Sequence, residues 1–335
     1  MALSLREFAR RLGTGHKGPL EELEIDSLAT PAHASSRDIS FCVGSQGAAE
    51  VSTSVAAAIV ANRADSHHLK IANALIVEEV LIAISRAAAW LPVRRNALNY
   101  FRKTDCTVAP SAEISGNADL ASSVRIGERT VVESGAVICG HVSIGAFCRI
   151  GSGAMIFGPA KIGNRVHIGA GTVIGESGFS LVQDGSRWLR VPSFGGVQIG
   201  DDITILAQVV VHGGVFGDTF IANGCALDSQ VLIGHDSRVG EHTAIAGQTA
   251  VAGAANIGRH CLIGGKVGIG EGIVVADRVT VTAMSMVTRS IEEDGSRHSS
   301  GWPAELSSRW WRRVANIRRA SGRSSRSKSL EPLDS

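Results

Sequence analysis

Of the histidines at 141, 167, 212, 235, 242 and 260, His235 has the neighbours that acid–base chemistry requires. It stands in Leu232-Ile233-Gly234-His235-Asp236, just after Asp228 and Gln230, and Gly253 follows 18 residues later in Ala252-Gly253-Ala254. An imidazole that takes a proton, beside a backbone N–H that holds a developing oxyanion, is the minimum set for acyl transfer. The competing reading of a lone loop histidine is simple solvent exposure. A zinc site shared between copies through His212, His235 and His242 is disfavoured, because the sequence has no H-x-x-x-H or H-x-x-x-x-H pair. No metal and no cofactor are expected. Gly268-Ile269-Gly270-Glu271-Gly272 is superficially like a phosphate-binding loop, but it does not lie between a strand and a helix of a βαβ unit, so it reads as a corner.

The element that must position these groups announces itself by rhythm. From Ile114 an aliphatic residue recurs at every sixth position through Ile174; the rhythm resumes at Ile199, Ile205 and Val211, shifts by four, and runs from Ile221 to Val287. A helix spaces its apolar residues three to four apart and a strand two apart, so a period of six is a repeat signature. Each hexad reads as a short strand plus a corner, three hexads make one coil of a solenoid, and the aliphatic residue points into the tube. Glycine directly after the inward residue, as at Gly127, Gly145, Gly163, Gly234 and Gly258, is expected to supply corners with positive φ. A run of amphipathic hairpins is the alternative, but hairpins would not hold a register of six for so long. With 18 residues per coil, Gly253 lies over His235. A packed interior leaves chemistry to the outside of the tube, where a groove needs a second wall; a threefold trimer of the chain would supply three equal grooves.

Composition fits a narrow tube: aromatics make up only 4% of the 335 residues, while glycine contributes 39. The net charge of +2 says little about partners by itself; outside the basic C-terminal segment the chain is near neutral, which disfavours nucleic acid as the partner of that segment. Met1 to Arg6 lacks the apolar core of a signal peptide, and Ile71–Val93 is broken by Glu78, Glu79 and Arg86, so no membrane span is expected and at most peripheral membrane contact. Six cysteines without CxxC spacing read as reduced, small apolar fillers of a cytoplasmic protein. Four segments follow. Residues 1–103 form a small α/β domain, with a helix capped by Ser4 and stopped by Gly13, strands at 39–43 and 56–60, and helical spacing over 76–90. Residues 104–290 form the β-helix, with an insertion at 175–196 that is either a binding-face loop or a hairpin covering tube wall. A smaller insertion lies around His212 to Phe216. Residues 300–320 form a basic helix with Arg309, Arg312, Arg313, Trp310 and Trp311, and residues 321–335 a disordered tail. The arginines suit an acidic protein partner.

The chain resembles the UDP-3-O-(3-hydroxyacyl)glucosamine N-acyltransferases of lipid A biosynthesis, a family of left-handed parallel β-helix, hexapeptide-repeat acyltransferases. The resemblance rests on Leu5 to Leu12, Asp38-Ile39-Ser40-Phe41, Gly178-Phe179, Leu227 to His235, Thr243 to Gln248, Ile263-Gly264-Gly265, Met284 to Val287 and Gly301 to Glu305, and covers about residues 3 to 320. It implies a mainly β fold with a small N-terminal α/β domain and a C-terminal helix, a homotrimer, a 3-hydroxyacyl donor on acyl carrier protein and a UDP-linked amino sugar as acceptor. His235 falls on the family's catalytic base and Gly253 on its oxyanion-hole amide. Phe41, Gly178, Phe179, Asp228 and Gln230 fall on substrate-side positions, and Arg309, Arg312 and Arg313 suit docking of acyl carrier protein. The departures concern the nucleotide pocket and the groove. The run Cys42 to Ala49 has no tyrosine, which leaves Phe41 as the base-stacking candidate; Gly178-Phe179-Ser180 stands for Gly-Phe-Gly, Val211-His212-Gly213 for Asp-Arg-Gly, and Asp228-Ser229-Gln230 for Asp-Asn-Gln. A paralogue acting on another sugar, or a non-catalytic solenoid, are the alternatives these departures leave open.

Overall fold

A computed structural model describes residues 3–17, 22–43, 50–66, 69, 73–93, 106–121 and 123–299. The basic helix expected at 300–320, with Arg309, Arg312 and Arg313, and the tail at 321–335 lie outside the described residues.

The six-residue rhythm becomes a three-walled parallel β-helix. Among the described residues, two walls have nine strands and the third has ten. Each strand is only two to five residues long and pairs in parallel with the equivalent strand one coil away. Leu232–Ile233, for instance, lies between Val210–Val211 below and Ala250–Val251 above. The inward residue of every hexad meets its counterpart in a single stack: Ile138, Ile156, Ile174, Val211, Ile233 and Val251 are all buried in one continuous core. This is the repeat-protein solution, in which each coil buries its apolar face only against its neighbours.

The corners work differently from the expectation. Glycine after the inward residue is not the positive-φ position. That conformation falls two residues later, on Gln230, Asp236, His242, Gln248, Ala254 and His260. Left-handed backbone costs a non-glycine residue about 1–2 kcal/mol. Here it lets each N–H reach a carbonyl of the coil below, as in Ala254 N–H to His235 O at 2.8 Å and Gln248 N–H to Ser229 O at 3.1 Å. The glycines are present because the coils approach too closely for a side chain: a Cβ on Gly234 would sit 2.6 Å from the Ala252 carbonyl carbon and from the Gly253 nitrogen.

The cysteines also do more than fill space. Cys148, Cys225 and Cys261 occupy the same inner corner column as Thr130 and Thr243, and each donates its S–H to a carbonyl of the next coil at 3.1 Å. Threonines do the same more strongly: Thr249 Oγ1 donates to Gly264 O at 2.7 Å and accepts from Val267 N–H at 3.2 Å. Burial holds these thiols in the protonated form, Cys225 at about 11.

The N-terminal unit is a five-stranded sheet in the order Gly15–Lys17, Ala74–Val77, Ala58–Asn62, Asp38–Phe41, Ser27–Leu28, parallel except for the first pair. The helix Leu5–Leu12 is capped by Ser4 Oγ, which accepts from Glu7 N–H at 3.2 Å, and stopped by Gly13 at φ 65°. The segment read as helical over 76–90 divides instead: Ala74–Val77 is a strand, and the helix is Val80–Ala87. The run Ala-Leu-Ile-Val pairs along the buried strand Ala58–Asn62, and that pairing outweighs its helical spacing.

Both interruptions of the rhythm leave the solenoid at the same corner. The longer one forms the hairpin Leu181–Asp184 with Arg187–Arg190, which lies on the helix Val80–Ala87 through the Arg86–Asp184 ion pair at 2.7 Å. Val191, Phe194 and Val215 then enter the N-terminal core beside Phe8, Phe41 and Ile84. No helix among the described residues is long and apolar enough to cross a membrane.

Replacing Thr249 with valine keeps the shape but removes a donor to one buried carbonyl and an acceptor for one buried amide. The expected cost is about 1–3 kcal/mol, read as a lower midpoint in thermal or urea denaturation; an unchanged midpoint would remove this ladder from the account of stability.

Candidate active site

His235 occupies the corner that follows the strand Leu232–Ile233, and its side chain is only 15% exposed. Its Nδ1 lies 2.8 Å from Asp236 Oδ2. Asp236 is at φ 57°, a conformation that turns its carboxylate back toward the neighbouring loop. There it accepts three backbone N–H groups, from Val215 at 3.0 Å, Phe216 at 3.2 Å and Gly217 at 3.0 Å. Burial pushes the Asp236 carboxyl up, but the bonds from His235 and from the Val215 and Gly217 amides outweigh it, so it titrates below the ordinary range. An ionised carboxylate only accepts, so His235 Nδ1 carries the proton and Nε2 keeps its lone pair. The hydrogen bond to Asp236 raises the His235 pKa; desolvation opposes it, and the charges of Asp236 and Glu271 add to the rise.

Gly253 stands directly over this ring, as the 18-residue period requires. A Cβ there would lie 2.6 Å from His235 Cε1 and Nε2. The Gly253 carbonyl accepts from Gly272 N–H at 2.9 Å, while its own N–H has no acceptor among the described residues. On the other side, Gly178 brings its backbone against the same imidazole, with an ideal Cβ 3.1 Å from His235 Cδ2 and 3.1 Å from His212 Nδ1. A sheltered base, an ionised partner and a free amide at one corner form a geometry suited to moving a proton while an oxyanion develops.

The hexapeptide segments match two known repeat families: bacterial transferase hexapeptide (six repeats) over residues 123–158 and 141–176, and the hexapeptide repeat of succinyl-transferase over 255–289. A UDP-3-O-acylglucosamine N-acyltransferase of Pseudomonas entomophila is 40% identical over 99% of this chain and 95% of its own. One from Pseudomonas syringae pv. tomato is 33% identical over the same shares, and one from Coxiella burnetii 32% over 99% and 98%. The chain belongs to the UDP-3-O-acylglucosamine N-acyltransferase family. It is an acyltransferase. A solved UDP-N-acetylglucosamine O-acyltransferase from Moraxella catarrhalis aligns with 59% of this chain and 79% of its own at 25% identity, with a TM-score of 0.43.

The remaining substrate-side candidates of this N-acyltransferase chain fall in three places. Gly178 is at the His235 corner, and Phe179 beside it is 83% exposed. Asp228 and Gln230 stand at the preceding corner of the same coil. There Asp228 accepts from Ser229 N–H at 2.7 Å and Gly247 N–H at 3.0 Å, and Gln230 joins a ladder with Gln208 and Gln248. Within one chain they do not meet His235. Phe41 departs from expectation. It is 3% exposed, with Phe194 and Phe216 centred 4.7 and 5.3 Å from its ring, so neither face is open to a stacked base. Of the histidines considered together for zinc, His212 does approach His235, whereas His242 stands at another corner, stacked on His260 at 5.2 Å.

Sequence reasoning assigned no role to Asp236, although its adjacency to His235 was a usable signal. It could not see the three amides that hold Asp236, because they come from an insertion outside the repeat.

A methyl group on Gly253 cannot coexist with the observed imidazole. Gly253→Ala is expected to lower acyl transfer by roughly 100-fold or more while leaving circular dichroism and the melting midpoint near wild type. Activity within a few-fold of wild type would show that the ring does not use this position.

Proposed function

We propose that this chain moves a 3-hydroxyacyl group from the thioester of acyl carrier protein to the 2-amine of UDP-3-O-acylglucosamine, a step of lipid A biosynthesis, with His235 as general base. The observation that carries this reading is the His235 ring, fixed by Asp236 through one nitrogen and bracketed by Gly253 at the other. The names of full-length relatives supply the acceptor and the reaction.

In this reading the sugar amine attacks the thioester carbonyl while His235 Nε2 takes its proton. The oxygen, now negative, is held by the Gly253 N–H. The intermediate collapses with loss of the thiolate, which recovers the proton from His235. Asp236 stays ionised throughout; it sets the tautomer and steadies the imidazolium. The site lies on an outer corner, and Asp228 and Gln230 stand one corner away, so a neighbouring copy is the natural second wall. We therefore read the working form as a homotrimer in the cytoplasm, with Asp228, Gln230 and Phe179 facing the substrates and Arg309, Arg312 and Arg313 receiving the acidic carrier.

Removing the base tests the reading directly. His235→Ala should cut turnover of the acylated UDP-amino sugar by about 10²- to 10⁴-fold, and UDP should compete with the acceptor. Equal activity in the two proteins, or failure of UDP to compete, would sink it. Because Asp236 raises the His235 pKa, the base is lost as pH falls through that raised value. Asp236→Asn should therefore shift the acid limb of the pH–rate profile to lower pH as well as slowing the reaction; an unmoved limb would mean that another group sets it. For the carrier, Arg312→Glu combined with Arg313→Glu should weaken binding of acyl carrier protein, most at low salt, and unchanged affinity would discard that docking role.

A further inference from the structure

His212 reaches the site through an irregularity of the coil. The strand Val173–Ser177 pairs with Val210–Gly213, but the register slips after Ile174, so that Glu176 lies opposite His212 and Ser177 opposite Gly213. This lengthens both strands past the point where other coils turn, and it delivers His212 to the same glycine that His235 touches. A single point, the ideal Cβ of Gly178, is 3.1 Å from His212 Nδ1 and 3.1 Å from His235 Cδ2. Two half-buried imidazoles thus face one space, and Gly178 is the residue that leaves this space free.

Resting on the reading of an amine acceptor, we propose that His212 is a second catalytic base, which takes the extra proton of the substrate ammonium while His235 handles the proton of the attack. The chemistry requires two such events. An amine on a carbon flanked by oxygen-bearing carbons titrates near an α-amino group, at about 8, so at neutral pH it arrives mostly as ammonium. The first proton passes to His212, an uphill transfer that the forming carbon–nitrogen bond draws forward. The second passes from nitrogen to His235 Nε2 and then to the departing thiolate as the carbon–sulfur bond breaks. The first finally leaves to solvent past Glu176, which is exposed. The sum is an amide, a thiol and one released proton.

The surroundings suit this division. Burial lowers the His212 pKa, and the charge of His235 lowers it further, with Glu176 opposing and Arg190 assisting. His212 is therefore neutral and able to accept when the ammonium arrives. When both rings are charged, Glu176 beside His212 and Asp236 and Glu271 near His235 supply three carboxylates to balance them.

The test is the pH profile of kcat/KM for the acceptor at saturating donor, in wild type and His212→Gln. Without His212 the enzyme must use the neutral amine. The deficit should be roughly tenfold near pH 7, grow about tenfold per unit below, and shrink to a few-fold by pH 9. An equal loss at every pH marks a structural role and overturns the proposal, as does an unchanged profile. If the wild type itself fails on the amino sugar at every pH, the reading of the acceptor has failed and the proposal falls with it. Histidine NMR of the unliganded protein supplies a second readout that does not need turnover. His235→Gln should raise the His212 titration midpoint, and an unmoved midpoint would show that the two rings do not share a site.

Discussion

Everything in this molecule follows from how closely one coil rests on the next. Parallel strands lie about 4.7–4.9 Å apart, and here that spacing is imposed at the corners as well as along the walls. Glycines such as Gly127, Gly145, Gly163 and Gly234 are required because a Cβ on any of them would come within 2.2 to 2.6 Å of the next coil. The same closeness lets each left-handed corner amide find a carbonyl below it, and lets threonine and cysteine hydroxyls and thiols reach the carbonyl of the coil above. It also places Gly253 against the His235 ring. The candidate site is thus a product of the stacking that makes the core, and its rigidity is that of the core.

The candidate site also depends on where the stacking is allowed to fail. At two corners of the tube the ladders continue without interruption, for example through Asn164, Asp201 and Asn223, whose side-chain oxygens accept the backbone N–H groups of Ala146, Asn164 and Asp201 in the adjacent coil. At the third corner the chain departs twice, with offsets of 37 and 22 residues between successive coils in place of 18. Each departure contributes something a regular coil cannot. The longer one brings Gly178 and Glu176. The shorter one brings His212 and the Val215, Phe216 and Gly217 amides. A solenoid that never broke its rhythm would hold His235 equally firmly but leave Asp236 without the donors that keep it ionised.

This division also explains what could be read in the residues beforehand. The walls, the inward stack and the pairing of His235 with Gly253 were legible because they repeat, and a period can be counted. The role of the corner glycines was only half legible: their position was right, but the physical reason is close approach and not positive φ, which composition cannot separate. The helical spacing over 76–90 overreaches at its start, taking in Ile76 and Val77 of the strand Ala74–Val77, because a short aliphatic run has no distinguishing period. Asp236, Glu176 and the approach of His212 were hidden because they depend on insertions whose paths no repeat dictates. Phe41 was assigned to a base by resemblance; its neighbours Phe194 and Phe216 are far away in sequence and were invisible to any local argument.

The burial of Phe41 has a consequence for the site. Its ring packs on Phe216, whose own N–H donates to Asp236 Oδ1. Phe194 closes the other side, and its N–H donates to Val215 O at 2.8 Å. The N-terminal sheet therefore grips the short insertion by its side chains, while the insertion grips Asp236 by its amides, and Asp236 orients His235. Aromatic contacts of this kind contribute about 0.5–1.5 kcal/mol each beyond the area they bury. That is small against the whole fold but substantial against the freedom of a five-residue loop. An aromatic residue that resemblance would give to the nucleotide is spent here on fixing the insertion that holds Asp236 beside His235, so the N-terminal unit reaches the candidate site through packing.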